Sequence, residues 1–316
     1  MLDQPEAFDL DIYFDPEFLF FWQAAVVVLG LIIGSFLNVV IYRLPIMLEL
    51  AWQAEARHVL DQEGQLDQKD QEGRQGQDKE DAQVEPFNLS VPRSRCAKCN
   101  NPIGILQNIP LISFLWLRGK CAHCQTPISW QYPAIELLTA ILSLMVFWQF
   151  GLSTDLIFAL IFTWALIALS GIDAKHFILP DNIVLPLLWL GLFANLSSSF
   201  ANLPDAVLGA IFGYGILWVC FWAFKLTTGK EGMGYGDFKL MAAVGAWFGW
   251  QSLPAALLLS SLTGAVVGIT LILLQKKDRS SAIPFGPYIA ISGWLMLMYG
   301  AEIQGLLAHL LSLNFS

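Results

Sequence analysis

The chain has 316 residues, of which 56% are hydrophobic and only 14% charged, a balance too apolar for a water-soluble protein and expected of a polytopic membrane protein. Its net charge of −9 would favour a cationic partner, but the acids gather in residues 1–17 and 49–85, so the bias is local and gives no sign of nucleic-acid binding.

Residues 1–17 carry six acids and no base, the reverse of a signal peptide's positive leader, so the first apolar segment is expected to stay in the mature protein. Reading for runs of about 17–25 apolar residues places candidate membrane helices near 18–42, 134–150, 156–172, 183–197, 206–226, 238–250, 253–274 and 285–301. The sixth, 238–250, is short for a span and reads as tilted, re-entrant or extended by its neighbours, which keeps seven spans as the competing count. Short spans around a polar site are tolerated when protein or water covers their ends. The fold expected is all-α, with about eight transmembrane helices and a cytoplasmic zinc-binding insertion between the first and second.

Lysine and arginine orient these segments. None occurs in 1–17, 151–155, 197–205, at Gln251-Ser252 or after Gly300. With eight spans these stretches share one side, and all 17 basic residues fall on the other side or at its membrane edge. The positive-inside rule then places both termini in the periplasm, and the loops 43–133, 173–182, 227–237 and 275–284 in the cytoplasm. A seven-span count strands basic residues outside. Arg43 and Asn38 read as interface and packing residues.

Within the long loop, residues 49–85 are rich in Gln, Glu, Asp, Lys and Gly; they start as a possible short helix and continue as a solvated linker. Residues 86–133 differ. Cys96-Ala-Lys-Cys99 and Cys121-Ala-His-Cys124 stand 21 residues apart, a spacing that suits a tetrahedral zinc, with a redox dithiol as the lesser alternative. Four thiolates leave no open coordination position, so such a metal holds a fold and activates no water. His123 reads as a surface residue and Cys220, in the fifth apolar segment, as buried packing.

Two aspartates carry the chemistry. Asp173 ends one apolar run and Asp237 begins another, within Gly234-Tyr-Gly-Asp237. In the eight-span orientation both reach the cytoplasmic face, where a carboxylate so close to hydrocarbon is functional by default. A facing pair can share one proton, one member acting as base on a water while the neutral one donates to a scissile carbonyl, which suggests proteolysis. Gly234 and Gly236 permit close approach to Asp237. Lys239 reads either as stabilising a carboxylate or oxyanion or as a snorkelling anchor. Glu136, in the second span's first turn, is either a helix-dipole partner or an acid that binds the amine of a methyl acceptor.

The motifs Gly34-Ser-Phe-Leu-Asn-Val-Val-Ile-Tyr-Arg-Leu-Pro45, the paired cysteine knuckles with Asn108-Ile-Pro-Leu-Ile-Ser and Leu117-Arg-Gly-Lys-Cys121, Asp173 through Leu179-Pro-Asp181, Gly232-Met-Gly-Tyr-Gly-Asp-Phe-Lys239 and Ile283-Pro-Phe-Gly-Pro287 together resemble the type IV prepilin peptidases. The resemblance runs from about Gly30 to Gly300. It implies a bifunctional leader peptidase and N-methyltransferase of the GxGD aspartic group, working in the bacterial inner membrane on type IV prepilins or pseudopilins. Such enzymes cut the leader after a glycine at the cytoplasmic face, then methylate the new N-terminus with S-adenosylmethionine. Carried over by position, the catalytic aspartates are Asp173 and Asp237, Asp181 supports them, and Gly119 lies in the segment linked to methyl transfer. Two departures stand out. Ala97 replaces a common proline without altering the ligand spacing, and Gln107 stands where many members carry an acid, so no role for that carboxylate transfers.

The domains expected are an acidic periplasmic N-terminus (1–17), a first transmembrane helix (18–42), a cytoplasmic loop (43–133) comprising the linker and the tetracysteine region, a seven-helix peptidase core (134–301) and a periplasmic tail (302–316). Expected partners are the prepilin substrate and membrane lipid, with no nucleic acid. Two rivals compete with this reading: a peptidase lacking methyl transfer, and a zinc-ribbon transporter using Asp173 and Asp237 as a proton or cation relay.

Overall fold

The computed structural model describes residues 16–68, 87–96, 98–230, 232–274 and 283–313. Among them run nine α-helices: α1 (Pro16–Gln68), α2 (Ile112–Trp116), α3 (Gln131–Phe150), α4 (Thr154–His176), α5 (Asp181–Ala194), α6 (Leu203–Thr228), α7 (Tyr235–Phe248), α8 (Leu253–Leu273) and α9 (Gly286–Leu313). The fold is all-helical. Among the described residues, β pairing is confined to two isolated bridges, Arg95 with Pro102 and Lys120 with Pro127. Each apolar segment of the sequence falls on one helix, α2 being the additional one. Five stretches, in α1, α3, α4, α6 and α8, are long and apolar enough to cross a membrane by length and composition. The acidic N-terminal stretch and the linker from 69 to 86 lie outside the described residues.

α1 continues well past its apolar run. It passes through Pro45 and extends as a single helix of 53 residues, with residues 49–60 exposed, so the short helix expected at the start of the linker is the end of α1 itself.

Glycines set how closely the helices cross. Gly30 and Gly34 of α1 lie against α3, where a Cβ would fall 2.7 Å from the Cα atoms of Ala140 and Glu136 respectively. Gly209 and Gly213 of α6 meet α7 in the same way, with Gly209 against the backbone of Gly245 and a Cβ on Gly213 falling 2.5 Å from the carbonyl oxygen of Met241. Both pairs are spaced by four. Where lipid offers no hydrophobic drive between helices, close van der Waals contact of this kind provides it. The rest of α6 shows the same economy: its buried residues are Ala206, Gly209, Gly213, Leu217 and Phe221, one narrow stripe. Cys220 lies off that stripe and is exposed, so the expectation that it is buried is corrected.

α7 is the innermost helix, packed by α5, α6, α8 and α9, with ten of its fourteen residues buried. At 1.5 Å per residue it is about 21 Å long, short of a ~30 Å hydrocarbon core. Protein covers its ends. Asn195, fully buried, donates through Nδ2 to the carbonyls of Ala246 and Trp247, both at 2.9 Å, while its Oδ1 accepts from the N–H groups of Phe200 and Ala201. The Trp247 indole donates to the Leu187 carbonyl at 2.9 Å. A helix end left unpaired in hydrocarbon would cost several kcal/mol per group, and Asn195 removes that cost at the C-terminal end of α7.

Candidate active site

Asp173 sits near the C-terminal end of α4 and Asp237 in the first turn of α7, at 5% and 7% exposure. Both flank Leu179, Asp173 by way of Gly286 and Asp237 by way of its neighbour Gly236, so the two carboxylates come to one corner of the bundle. They are held in different ways. Asp237 caps its own helix, its Oδ2 accepting from the Gly234 N–H at 3.3 Å. Asp173 Oδ2 accepts from the Gly286 N–H at 2.9 Å, a donor presented by the start of α9 and 113 residues away in the chain.

Leu179 is the spacer between these parts. A Cβ on Gly236 would lie 2.8 Å from Leu179 Cβ, and one on Gly286 would lie 3.0 Å from Leu179 Cδ2 and 2.7 Å from Asp173 Oδ2. The corner between α4 and α5, the start of α7 and the start of α9 therefore interlock around one leucine. Gly236 is required by this packing. Gly234 has room for a side chain, with nothing nearer than Asp237 Oδ2 at 3.8 Å, and its backbone is extended.

Asp181 and Lys239 pair with one another rather than with the aspartates. Lys239 Nζ lies 2.8 Å from both Asp181 carboxylate oxygens, linking the first turns of α5 and α7 across a half-exposed surface. Lys239 therefore pairs with a carboxylate, that of Asp181 rather than that of Asp237.

Glu136 is buried on α3, and its Oε2 accepts from the Leu111 N–H at 2.8 Å. Leu111 stands just before α2 with φ of +56°, a left-handed conformation that costs a non-glycine residue about 1–3 kcal/mol. Glu136 thereby ties the cysteine-containing region to the bundle. One turn away, Asn38 donates to the carbonyls of Gly34 and Tyr132 at 3.2 and 3.1 Å, and Arg43 donates to those of Asn88, Leu89 and Pro92 while stacking over Phe87.

The cysteine region is two copies of one turn. Asn100 N–H bonds the Cys96 carbonyl and Gln125 N–H bonds the Cys121 carbonyl, with Asn100 and Gln125 each at φ of +57°. Cys96 N–H returns to the Asn101 carbonyl and Cys121 N–H to that of Thr126, each turn then closing into its isolated bridge. The four sulfur atoms lie within 4.8 Å of one another, with Cys96 and Cys124 at 3.7 Å. A tetrahedral ion bound at about 2.3 Å needs sulfurs about 3.8 Å apart, so the set fits a metal. The Thr126 hydroxyl and backbone hold the Cys124 thiol down to about 6, and the backbone N–H groups of Cys99 and Lys98 lower that of Cys96, whereas the Cys99 thiol, despite the Asn101 backbone, is pushed up to about 11 by burial and by its three sulfur neighbours. His123 is exposed and stands outside the cluster.

Gly119 connects the two halves of this region. It has φ of +68°, donates to the Phe114 carbonyl at 2.8 Å, and would place a Cβ 3.0 Å from the Phe114 ring. The residues that sequence reasoning left without a role are Gly286, Leu179, Leu111 and Asn195. Only the prolines flanking Phe285-Gly286 marked that turn beforehand.

Two family descriptions match the chain: residues 28–150 match the bacterial peptidase A24 N-terminal domain, and residues 160–269 match the type IV leader peptidase family. A prepilin leader peptidase/N-methyltransferase of Aeromonas hydrophila is 53% identical over 292 residues, covering 92% of this chain and 92% of the relative. The protein of the same name in Pseudomonas aeruginosa is 50% identical over 277 residues, covering 88% and 90%, and that of Neisseria gonorrhoeae is 49% identical over 269 residues, covering 85% and 87%. No solved structure matches the chain. With both family descriptions and relatives near half identity along almost the whole length, and with Asp173 and Asp237 both inside the block that matches the leader peptidase family, the chain belongs to the type IV leader peptidase family.

Proposed function

We propose that this protein cleaves the leader from type IV prepilins or pseudopilins and then methylates the new N-terminus. The observation that carries the reading is the burial of Asp173 and Asp237 as neighbours where α4 ends and α7 begins, in a chain of this family. Two buried carboxylates in mutual range cannot both hold charge cheaply, so the pair shares one proton. The ionised member takes a proton from water as it attacks the scissile carbonyl, and the neutral member donates to the carbonyl oxygen. Asp181 and Lys239 tie the start of α5 to the start of α7, which carries Asp237, and Gly236 lets α7 approach Leu179.

The eight apolar helices are proposed to span the inner membrane with both termini periplasmic, which brings the aspartates and the cysteine region to the cytoplasmic side. The basic leader of a prepilin stays on that side for the same reason as the enzyme's own lysines. Cys96, Cys99, Cys121 and Cys124 are proposed to hold a structural zinc. With no open coordination position it supplies fold and no chemistry. The methyl donor would be S-adenosylmethionine, held by the cytoplasmic region near the freed amine. Gly119 sets the turn that shapes this region, and Glu136 fastens it to the bundle.

Purified protein incubated with a prepilin, with and without S-adenosylmethionine, tests the reading by mass. The expected products are the cleaved pilin alone and the cleaved pilin plus one methyl group. Cleavage without any methyl gain would reduce the protein to a peptidase, and an unchanged prepilin mass would overturn the proposal.

A further inference from the structure

The turn Ile283-Pro-Phe-Gly-Pro287 has no part in the mechanism above, yet it reaches the pair directly. Its Gly286 N–H, 2.9 Å from Asp173 Oδ2, makes the one hydrogen bond that the Asp173 carboxylate accepts among the described residues. Pro287 at the next position has no N–H to offer, so the Gly286 N–H is the donor that the turn aims at the carboxylate. The position does not tolerate a side chain: a Cβ there would overlap both Asp173 Oδ2 and Leu179 Cδ2.

We infer that Gly286 is a positioning residue for leader cleavage, its backbone N–H fixing Asp173 by one carboxylate oxygen so that the other is the one that exchanges the proton with water or substrate. The inference rests on the proposed peptidase reading. The two aspartates are anchored unequally. Asp237 is tied to the N-terminus of its own helix by a neighbour three residues away, whereas the orientation of Asp173 depends on how α9 docks against α4. The start of α9 therefore sets the geometry of a pair whose members lie on α4 and α7, and a small shift of that turn rotates one carboxylate against the other.

The test is Gly286→Ala in the full chain, assayed with a prepilin in detergent beside wild type and Asp173→Asn. The added methyl must move either the Asp173 carboxylate or the turn, parting donor from acceptor, so kcat for cleavage is expected to fall about 100-fold with KM within about threefold, since displacement near the reacting centre on this scale costs about two orders of magnitude. Methylation of an already cleaved pilin should be unchanged, which shows that the variant is folded. Gly264→Ala, whose added Cβ would meet Tyr288 of α9 at 3.0 Å across the α8–α9 contact, controls for crowding of α9 away from Asp173 and should cleave normally. The double variant Gly286→Ala/Leu179→Ala separates the two contacts, and it should stay impaired because the clash with Asp173 remains. A Gly286→Ala enzyme with wild-type kcat, or one restored by trimming Leu179, overturns the inference. If wild type fails to cleave, or Asp173→Asn cleaves normally, the fault lies with the peptidase reading instead.

Discussion

The cysteine region and the aspartate end of the bundle lie on the same chain but are held together by different physics. Residues 87–130 contain one short helix, two isolated bridges and turns with left-handed residues, and much of their apolar side-chain surface, including Leu106, Leu115 and Trp116, is exposed. Such a segment has little core of its own, and the metal proposed on its four cysteines would contribute its folding energy. The aspartate end has the opposite character. α7 is enclosed on every side, its terminal carbonyls are satisfied by Asn195, and its approach to α6 is backbone against backbone. The difference teaches that the two activities proposed for this protein rest on separable supports, one removable by chelation and the other only by disturbing packing.

The largest effect that would sharpen this contrast is expected at the aspartates. Asp173→Asn or Asp237→Asn should lower leader cleavage on the order of 10³-fold, the range lost with a general acid or base, while metal content by elemental analysis stays at the wild-type level. Near-normal cleavage in either variant would remove the pair from the mechanism. Asn195→Ala comes next. It strands the carbonyls of Ala246 and Trp247 and the N–H groups of Phe200 and Ala201, and at about 1–3 kcal/mol for each unsatisfied group it should lower the bundle's Tm more than any change in the cysteine region does. If its Tm equals wild type, packing alone holds α7 and the carbonyl clamp is dispensable.

Replacing Cys96 and Cys99 together with serine is expected to abolish metal binding and expose residues 87–130 to protease, leaving the bundle's protease-resistant core intact. Metal retained in that variant, or simultaneous collapse of both regions, would break the comparison. Gly119→Val should act more locally. Its positive φ costs a β-branched residue about 1–3 kcal/mol, and the Phe114 contact adds to it, so methylation measured by mass should fall while most cleavage survives. Proportional loss of both would mean one composite site. The smallest effect belongs to Asp181→Asn. Its ion pair with Lys239 is half exposed, worth about 0–1 kcal/mol, so cleavage should stay within about fivefold of wild type.

How much of this was legible beforehand varies by region. Hydropathy located each membrane-type helix because length and apolarity are one-dimensional properties, and the repeated CxxC spacing located the metal ligands because each knuckle is a local turn. The two aspartates were legible from their place at the ends of apolar runs. The partners of those residues were not. Lys239 lies two residues from Asp237 and yet pairs with Asp181, 58 positions away, because the first turns of α5 and α7 lie side by side. Glu136 reads from sequence as a helix-dipole partner or an amine ligand, and the structure gives its carboxylate to the strained Leu111 amide. Cys220 was misjudged because a uniformly apolar helix carries no signal of which face is turned inward; the stripe of Gly209, Gly213 and Leu217 decides it.

The sequence by itself determined the class of molecule, the two cysteine knuckles and the two acids, since each depends on composition or on neighbours within a few residues. Only the tertiary structure decided that most of the short segment 238–250 belongs to a buried helix, α7, with its Ala246 and Trp247 carbonyls paired by Asn195. It also decided that Leu179 is the shared contact of three chain turns, and that a backbone N–H at Gly286 holds Asp173. Those facts depend on distances between residues far apart in the chain. Backbone N–H and C=O groups are identical at nearly every position, so no residue type announces which one will be buried beside a carboxylate.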